Sequence, residues 1–282
     1  MKKVKVLILG IDGLVGNTVY SYLSAIDSFD VLGTSRKKRG FFKFDVSNIE
    51  SIRNILKKAN KVNIVINCIG ETRKDAAIET LIRTNSLFPQ QLASILSDLK
   101  IGLIHVSTDV VYSDQNLKAN EYSKVSPQTP YAASKLLGEP NTKNTINIRT
   151  SIIGLSPNRV YSLLDRSKNT NEAEIDGYTN QNWSGCTTLQ FAKFCEELIT
   201  DWENNLRVYG QLMNFSPIRN VSHYEILSEA RKVGIVSAKI AKKKRREQVV
   251  RKLISVFDKK YMNKYTCDIR TALDQLVLFQ KS

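Results

Sequence analysis

A tyrosine and a lysine four residues apart, in Tyr131-Ala132-Ala133-Ser134-Lys135, are the best-spaced pair in this chain for joint chemistry. Pro130 precedes them, so the segment reads as the start of a helix, and positions i and i+4 share a helix face. A phenol with a pKa near ~10 is a poor acid or base at neutral pH. An ammonium beside it favours the ionised form, so Lys135 is expected to lower the Tyr131 pKa. Upstream, Ser107-Thr108-Asp109 ends a strand-like run, and the Thr108 hydroxyl is placed to hold a carbonyl oxygen beside Tyr131. Such a set can pass a proton to an oxygen that is held in place.

A second group opens the chain. Gly10-Ile11-Asp12-Gly13-Leu14-Val15-Gly16 follows a short Val/Leu/Ile-rich run and precedes a helical pattern. Glycines at this spacing let the backbone turn tightly, approach a pyrophosphate, and pack helix against strand, while the helix N-terminus favours phosphate charge. A glycine turn without a ligand is the plainer reading, because short glycine patterns recur by chance. The next strand ends Gly33-Thr34-Ser35 and is followed by Arg36-Lys37-Lys38-Arg39. Folds that prefer NAD place an acidic residue there for the ribose 2′-hydroxyl. Ser35, Arg36 and their neighbours suit a 2′-phosphate instead, so NADPH is the expected cofactor and NADH the less favoured one. Asp45-Val46 ends the third strand, within reach of an adenine amino group. Asn67-Cys68-Ile69-Gly70 ends the fourth, at the sheet edge where ligands bind in open α/β folds. Cys68 reads as a small core residue rather than a nucleophile.

These residues need a frame. Strand-like runs at residues 2–10, 30–35, 41–46, 63–70, 101–107 and 145–153 alternate with helical patterns at 14–24, 49–59, 76–99 and 130–143, the third interrupted near Pro89. That alternation predicts an α/β fold with a doubly wound parallel sheet. After Gly154 the pattern weakens. Residues 156–184 are polar and loop-rich, with weak helical character over 161–166. Helices are expected at 187–204, 223–233 and 246–259, and a strand at 210–215. The expected organisation is a dinucleotide-binding domain over 1–154, to which 187–215 returns, and a smaller C-terminal substrate-binding lobe made of 155–186 and 216–282.

With 42% hydrophobic and 24% charged residues, the chain has an ordinary globular composition, which argues against wholesale disorder. No apolar run approaches the ~20 residues of a membrane span, and the N-terminus does not read as a secretory signal. Four cysteines without close spacing and two histidines argue against a zinc site or a disulfide scaffold, so no metal is expected and a cytoplasmic location fits.

Beyond this reading of residue types, the sequence resembles the extended short-chain dehydrogenases/reductases, and within them the dTDP-4-dehydrorhamnose reductase-like group. The matching residues are Gly10, Gly13 and Gly16; Asp45-Val46; Thr84-Asn85; Ser107-Thr108-Asp109; Tyr131 to Lys135 with Gly138-Glu139; and Arg149-Thr150-Ser151. The resemblance covers residues 2 to about 215. It implies a Rossmann fold, a nicotinamide cofactor that Asn85 helps to hold, and a Thr108–Tyr131–Lys135 catalytic set. It also implies a nucleotide-sugar substrate contacted by Thr108, Asp109, Ser151 and Trp183. Two departures stand out. Ile152-Ile153 replaces the aromatic residue that commonly follows Arg-Thr-Ser, and acidic residues for the metal-linked dimer of some relatives are not matched. A homodimer without such a metal is still admitted.

The formal charge of +15 favours anionic partners, and Lys242, Lys243, Lys244, Arg245 and Arg246 carry a concentrated share. On the expected helix these cations form a solvated face with no aromatic interleaving, so no nucleic-acid partner is expected. Peripheral association with an acidic membrane face is compatible with the charge. Trp183 lies in a polar stretch, 178–188, where it either stacks on a sugar or base or anchors a loop, with Thr187 as a helix cap. His105 reads as structural. The expected reaction is NADPH-dependent reduction of a 4-keto group on a dTDP- or UDP-linked 6-deoxyhexose. The alternatives are an epimerase or dehydratase on the same fold, or a non-catalytic NADP(H)-binding regulatory subunit.

Overall fold

The computed structural model describes residues 3–112, 118–156 and 162–281. Its first half runs β1 (Val4–Leu9), α1 (Leu14–Ser24), β2 (Phe29–Ser35), β3 (Phe42–Lys43), α2 (Ser51–Ala59), β4 (Ile64–Asn67), α3 (Ile78–Leu81), a π-helical turn (Ile82–Leu87), α4 (Phe88–Asp98), β5 (Gly102–Val106), β6 (Lys118–Ala119), α5 (Pro130–Leu137) and β7 (Thr145–Arg149). The second half runs β8 (Ile152–Ile153), α6 (Leu163–Lys168), β9 (Glu174–Tyr178), β10 (Gln181–Thr187), α7 (Thr188–Thr200), α8 (Trp202–Tyr209), β11 (Leu212–Asn214), β12 (Ile218–Ser222), α9 (His223–Lys232), β13 (Lys239–Lys243), β14 (Val249–Val250), β15 (Lys252–Leu253), α10 (Asp258–Tyr265) and α11 (Ile269–Lys281).

Seven strands form one sheet in the order β11-β7-β5-β4-β1-β2-β3, and every neighbouring pair is parallel. The fold is therefore the expected doubly wound α/β type. Successive side chains of β1 serve opposite faces, as the period of a strand requires. Val6 and Ile8 join a core with Val19 and Leu23 of α1 and Phe191, Phe194 and Leu198 of α7. Leu7 and Leu9 join a second core with Ile52 and Leu56 of α2 and Phe88, Leu92 and Leu96 of α4. Strand order reverses at β1, so the loops after β1 and β4 part and leave a crevice at the C-terminal edge of the sheet.

The remaining strands build a smaller unit. β10 pairs with β12 and β14, β9 pairs with β13, and β6 pairs with β15. Its apolar centre includes Leu164 of α6, Ile226 and Ala230 of α9, and Ile269 and Leu273 of α11. Capping boxes at Thr187/Gln190 and Ser222/Glu225 fix the starts of α7 and α9.

The structure corrects several expectations. The basic segment is not helical. Lys239–Lys243 is strand β13, and 246–259 contains β14, β15 and only the first residues of α10. Lys, Ala and Arg favour helix locally, but tertiary pairing overrides weak propensity. β13 gains a full parallel ladder against β9, Glu174 to Tyr178. Gly177 permits the approach, since a Cβ there would lie 2.6 Å from Ile240 Cγ2. Side chains beyond β9 hold the following loop: Asn180 Nδ2 donates to the Arg245 carbonyl at 2.7 Å, and Gln181 Nε2 to the Glu247 carbonyl at 2.6 Å. The polar stretch 156–184 contains β9 and the start of β10, whose alternation was hidden by polar side chains on both faces. The expected helix at 161–166 is α6, beginning at Leu163, and Tyr161 lies outside the described residues, as does Lys2 of the first strand. The helical run 78–98 does not break at Pro89. Proline removes a donor and crowds the carbonyl four residues back, here Asn85, and the π turn just before it widens the helix to accommodate this.

Candidate functional site

The glycine turn sits on the crevice. Gly10 has φ +87°, a left-handed conformation that glycine adopts without strain. Its N–H donates to Thr34 Oγ1 at 3.2 Å, and Ile11 N–H donates to the Thr34 carbonyl at 3.2 Å, so the turn is pinned to the end of β2. A Cβ on Gly16 would lie 2.3 Å from the Gly10 carbonyl oxygen; only glycine lets α1 start this close to β1. α1 begins at Leu14 with Val15 and Gly16 in its first turn. Its N-cap is Gly13, no side chain caps it, and no acidic residue occupies that turn. An uncapped helix end facing the crevice suits a pyrophosphate, so these residues fit a dinucleotide.

The other residues expected at the cofactor lie at the end of β4 and just after it, just after β3, and in the π-helical turn. Asn67 is fully buried; its Nδ2 lies 3.1 Å from His105 Nδ1, and its Oδ1 accepts from Ile69 N–H at 3.1 Å. Cys68 N–H pairs with the Leu9 carbonyl at 3.1 Å, which carries the β4 end through Ile69 to Gly70 alongside the glycine turn. Burial pushes the Cys68 thiol up to about 12, against the pull of Lys135, so it stays protonated. Asn85 is used internally. It accepts from Glu71 N–H at 2.8 Å and donates to the Glu71 carbonyl at 2.9 Å and to Ser134 Oγ at 3.1 Å. It thereby ties the loop after β4 to α5. Asp45 is exposed and accepts from Ser47 N–H at 2.9 Å, with Val46 beside it. These bonds, helped by the charge of Arg36, lower its pKa.

Tyr131 and Lys135 lie on α5, capped by Thr129, whose side chain accepts from Ala132 N–H at 3.1 Å. Burial pushes the Tyr131 phenol up to about 12, against the pull of the nearby Thr108 hydroxyl and with Asp109 adding to the rise. The expected lowering by Lys135 is not found. Lys135 Nζ turns to the sheet and donates to the Val106 carbonyl at 2.7 Å. Burial pulls the lysine down to about 8, although Glu139 and Cys68 push the other way.

Thr108 and Asp109 follow β5 beside the end of β7, with Asp109 N–H donating to the Thr150 carbonyl at 3.2 Å. Ser151 and Trp183 meet directly: the indole Nε1 donates to Ser151 Oγ at 2.8 Å. Gly185 allows this, because a Cβ there would lie 2.1 Å from the Ser151 carbonyl oxygen. Trp183 also packs on the smaller unit's core, so much of its surface serves the fold.

Residue types alone did not disclose the network beneath the site. Arg149 is buried and makes a two-pronged ion pair with Glu139, Nε–Oε1 2.8 Å and Nη2–Oε2 2.7 Å. Glu139 also accepts from Ser107 Oγ at 2.6 Å, and Arg149 Nη1 donates to the Tyr112 hydroxyl at 2.8 Å. The pair therefore clamps the strand end that carries Thr108. Among the described residues, no three His, Cys, Asp or Glu side chains are arranged to hold a metal, and no helix is long and apolar enough to cross a membrane.

A seven-stranded parallel sheet whose order reverses beside a glycine turn defines an α/β protein of the dinucleotide-binding, Rossmann type. The sequence model described as RmlD substrate binding domain matches residues 4–264, and the chain belongs to that family. A dTDP-4-dehydrorhamnose reductase from Clostridium acetobutylicum superposes with a TM-score of 0.77 at 19% identity, over 99% of this chain and 100% of that one. The Bacillus anthracis dTDP-4-dehydrorhamnose reductase, in complex with NADP, superposes with a TM-score of 0.77 at 18% identity over 98% and 99%. In sequence, the chain is 27% identical over 138 residues to methionine adenosyltransferase 2 subunit beta of Danio rerio, covering 48% of this chain and 42% of that protein. It is 27% identical over 140 residues to dTDP-4-dehydrorhamnose reductase of Mycolicibacterium smegmatis, covering 48% and 40%. The matched stretch thus spans less than half the length of these curated relatives.

Proposed function

We propose that this chain is an NADPH-dependent oxidoreductase that reduces the 4-keto group of a dTDP- or UDP-linked 6-deoxyhexose. The observation that carries the reading is the buried Tyr131 phenol close to Thr108, with Lys135 one turn further along α5, in a fold whose strand order reverses beside the glycine turn. The named activity of the Mycolicibacterium smegmatis relative and the NADP complex of the Bacillus anthracis structure support the substrate class and cofactor.

The bound nicotinamide supplies the hydride. Gly10, Gly13 and Gly16 give the backbone room at the pyrophosphate, and the α1 N-terminus favours its charge. Ser35 and Arg36 face the adenosine ribose, and Asp45-Val46 the adenine. Thr108 Oγ1 holds the substrate's keto oxygen. Tyr131 gives its proton to that oxygen as negative charge grows there. A phenol held near 12 is fully protonated at neutral pH and ready to donate. Lys135, close to the sheet's end, holds the nicotinamide ribose hydroxyls. Asp109, Ser151 and Trp183 border the sugar.

One comparison favours a second reading: the similarity to a protein named as a subunit keeps open a non-catalytic, dinucleotide-binding role. A panel of nucleotide-linked 4-keto sugars offered with NADPH, followed by loss of reduced-nicotinamide absorbance, separates the two. Turnover is expected, and Tyr131→Phe should lower it roughly 10²–10⁴-fold while leaving NADPH binding near normal. NADPH binding without turnover on any of the sugars would favour the subunit reading.

A further inference from the structure

The C-terminal end of β2 carries no acidic residue of its own, yet a carboxylate is found there. Asp12, from the turn itself, reaches across. Ser35 Oγ donates to its carboxylate, lying 2.8 Å from each oxygen, and Arg36 N–H donates to Oδ2 at 3.1 Å. Ser35 Oγ in turn accepts from Lys37 N–H at 3.0 Å and Lys38 N–H at 2.7 Å. Three consecutive backbone N–H groups, of residues 36, 37 and 38, thus converge on one hydroxyl and one carboxylate. Converging N–H groups of this kind form an anion-binding concavity. Here Ser35 Oγ takes two of the three N–H groups and the chain's own Asp12 takes the third.

We propose that Asp12 is a coenzyme-specificity residue, which accepts a hydrogen bond from an adenosine ribose 2′-hydroxyl and opposes a 2′-phosphate at the same place. The proposal rests on the reading that the glycine turn holds a nicotinamide dinucleotide, since the end of β2 then faces the adenosine ribose. Two opposing effects meet there. Arg36, Lys37, Lys38 and Arg39 attract a 2′-phosphate, which carries up to two negative charges. Asp12 repels it and already accepts from the Arg36 N–H, one of the groups that would bind it. The chain therefore favours NADPH over NADH by a narrower margin than its four cations alone would set. Asp12 is part-exposed and Arg36 exposed, so both effects weaken as salt is added.

The test is calorimetric titration of the full chain with adenosine 2′,5′-bisphosphate, 5′-AMP, NADPH and NADH. Asp12→Asn keeps shape and hydrogen-bonding capacity and removes the charge; Asp12→Ser is the second variant should the first fail to fold, with thermal melting as the check on both. Removing the charge should raise the affinity for adenosine 2′,5′-bisphosphate relative to 5′-AMP by about tenfold, and that for NADPH relative to NADH in parallel. The gain should shrink at high salt. Arg36→Ala should move both ratios the other way. If the folded variants weaken all four ligands equally, or leave the ratios unchanged, Asp12 merely braces the turn and the proposal is wrong. If the unaltered chain binds none of the four, the dinucleotide reading itself fails and takes this proposal with it.

Discussion

Glu139→Gln tests whether the buried network, and not the surface charge, holds the strand end that carries Thr108. The Glu139 and Arg149 side chains are only 10% and 5% exposed, so their two-pronged pairing is largely shielded from solvent. Removing one partner of a buried pair leaves an uncompensated charge, which typically costs about 3–5 kcal/mol. Glutamine keeps the volume and one acceptor, but its amino end meets a guanidinium N–H in either orientation, so about 3 kcal/mol is expected. At roughly 2–4 °C per kcal/mol for a chain of this size, the melting midpoint should fall by roughly 6–12 °C. Urea unfolding followed by the fluorescence of Trp183 and Trp202 measures the loss directly. The exposed pair Arg53–Glu50 is the control, and Glu50→Gln should barely move the midpoint. The double variant Glu139→Leu/Arg149→Met should lose clearly less than the two single variants added together, because neither charge is then stranded. A Glu139→Gln protein as stable as the parent would refute the argument, and additive single losses would show that the two groups act separately.

Other expectations follow from single distances and charges. Gly138→Ala should destabilise by at least 1–3 kcal/mol, roughly the usual cost of overpacking, because its Cβ would lie 1.7 Å from the Asn85 carbonyl oxygen; an unchanged urea midpoint would contradict this. Gly16→Ala should weaken NADPH binding and stability together, since its Cβ would lie 2.3 Å from the Gly10 carbonyl oxygen and push α1 off the turn; titration and melting would both have to be normal to reject it. Lys135 sits at about 8 when folded, below the 10.5 of a free lysine. Between those values the unfolded chain binds the extra proton, so this group's contribution to stability rises with pH across that window. The stability difference between the parent and Lys135→Met should therefore shift in the parent's favour by up to about 3 kcal/mol from pH 8 to 10.5, and a flat difference would argue against a depressed lysine. Changing Lys244 and Arg246 to Gln should leave the melting midpoint within about 2 °C and the maximal rate unaltered; a large loss of either would mean the basic loop supports more than its own surface.

How much was legible in the residues depends on the range of the interactions involved. The glycine turn and the Tyr131/Lys135 spacing are local patterns, and local geometry places them where the sequence implied. The buried β strands were legible because their apolar runs need no partner to be recognised. In the sequence Asp12 belongs to the glycine turn, and nothing ties it to the end of β2, which has no acid of its own. The link between them exists only once β1 and β2 pair in register, Leu9 with Thr34. Glu139 and Arg149 stood ten residues apart as unrelated matches to a family pattern, and only the return of the chain from α5 into β7 brings them together. The basic segment was misread for the converse reason. Its local propensity is helical, and the ladder that makes it a strand comes from β9, more than sixty residues away.

The same dependence on range explains the error about the tyrosine. Spacing placed an ammonium on the phenol's side of the helix, and proximity alone would lower the phenol's pKa. The fold adds two conditions that spacing cannot express. The site is buried, which disfavours phenolate, and the Val106 carbonyl engages the ammonium at 2.7 Å. Burial acts on both groups in the same sense, raising the tyrosine to about 12 and lowering the lysine to about 8, so each is driven toward its neutral form. A neutral phenol beside Thr108 can give a proton to a keto oxygen but is poorly suited to take one from an alcohol. That protonation state is the one the proposed reduction asks of its proton donor.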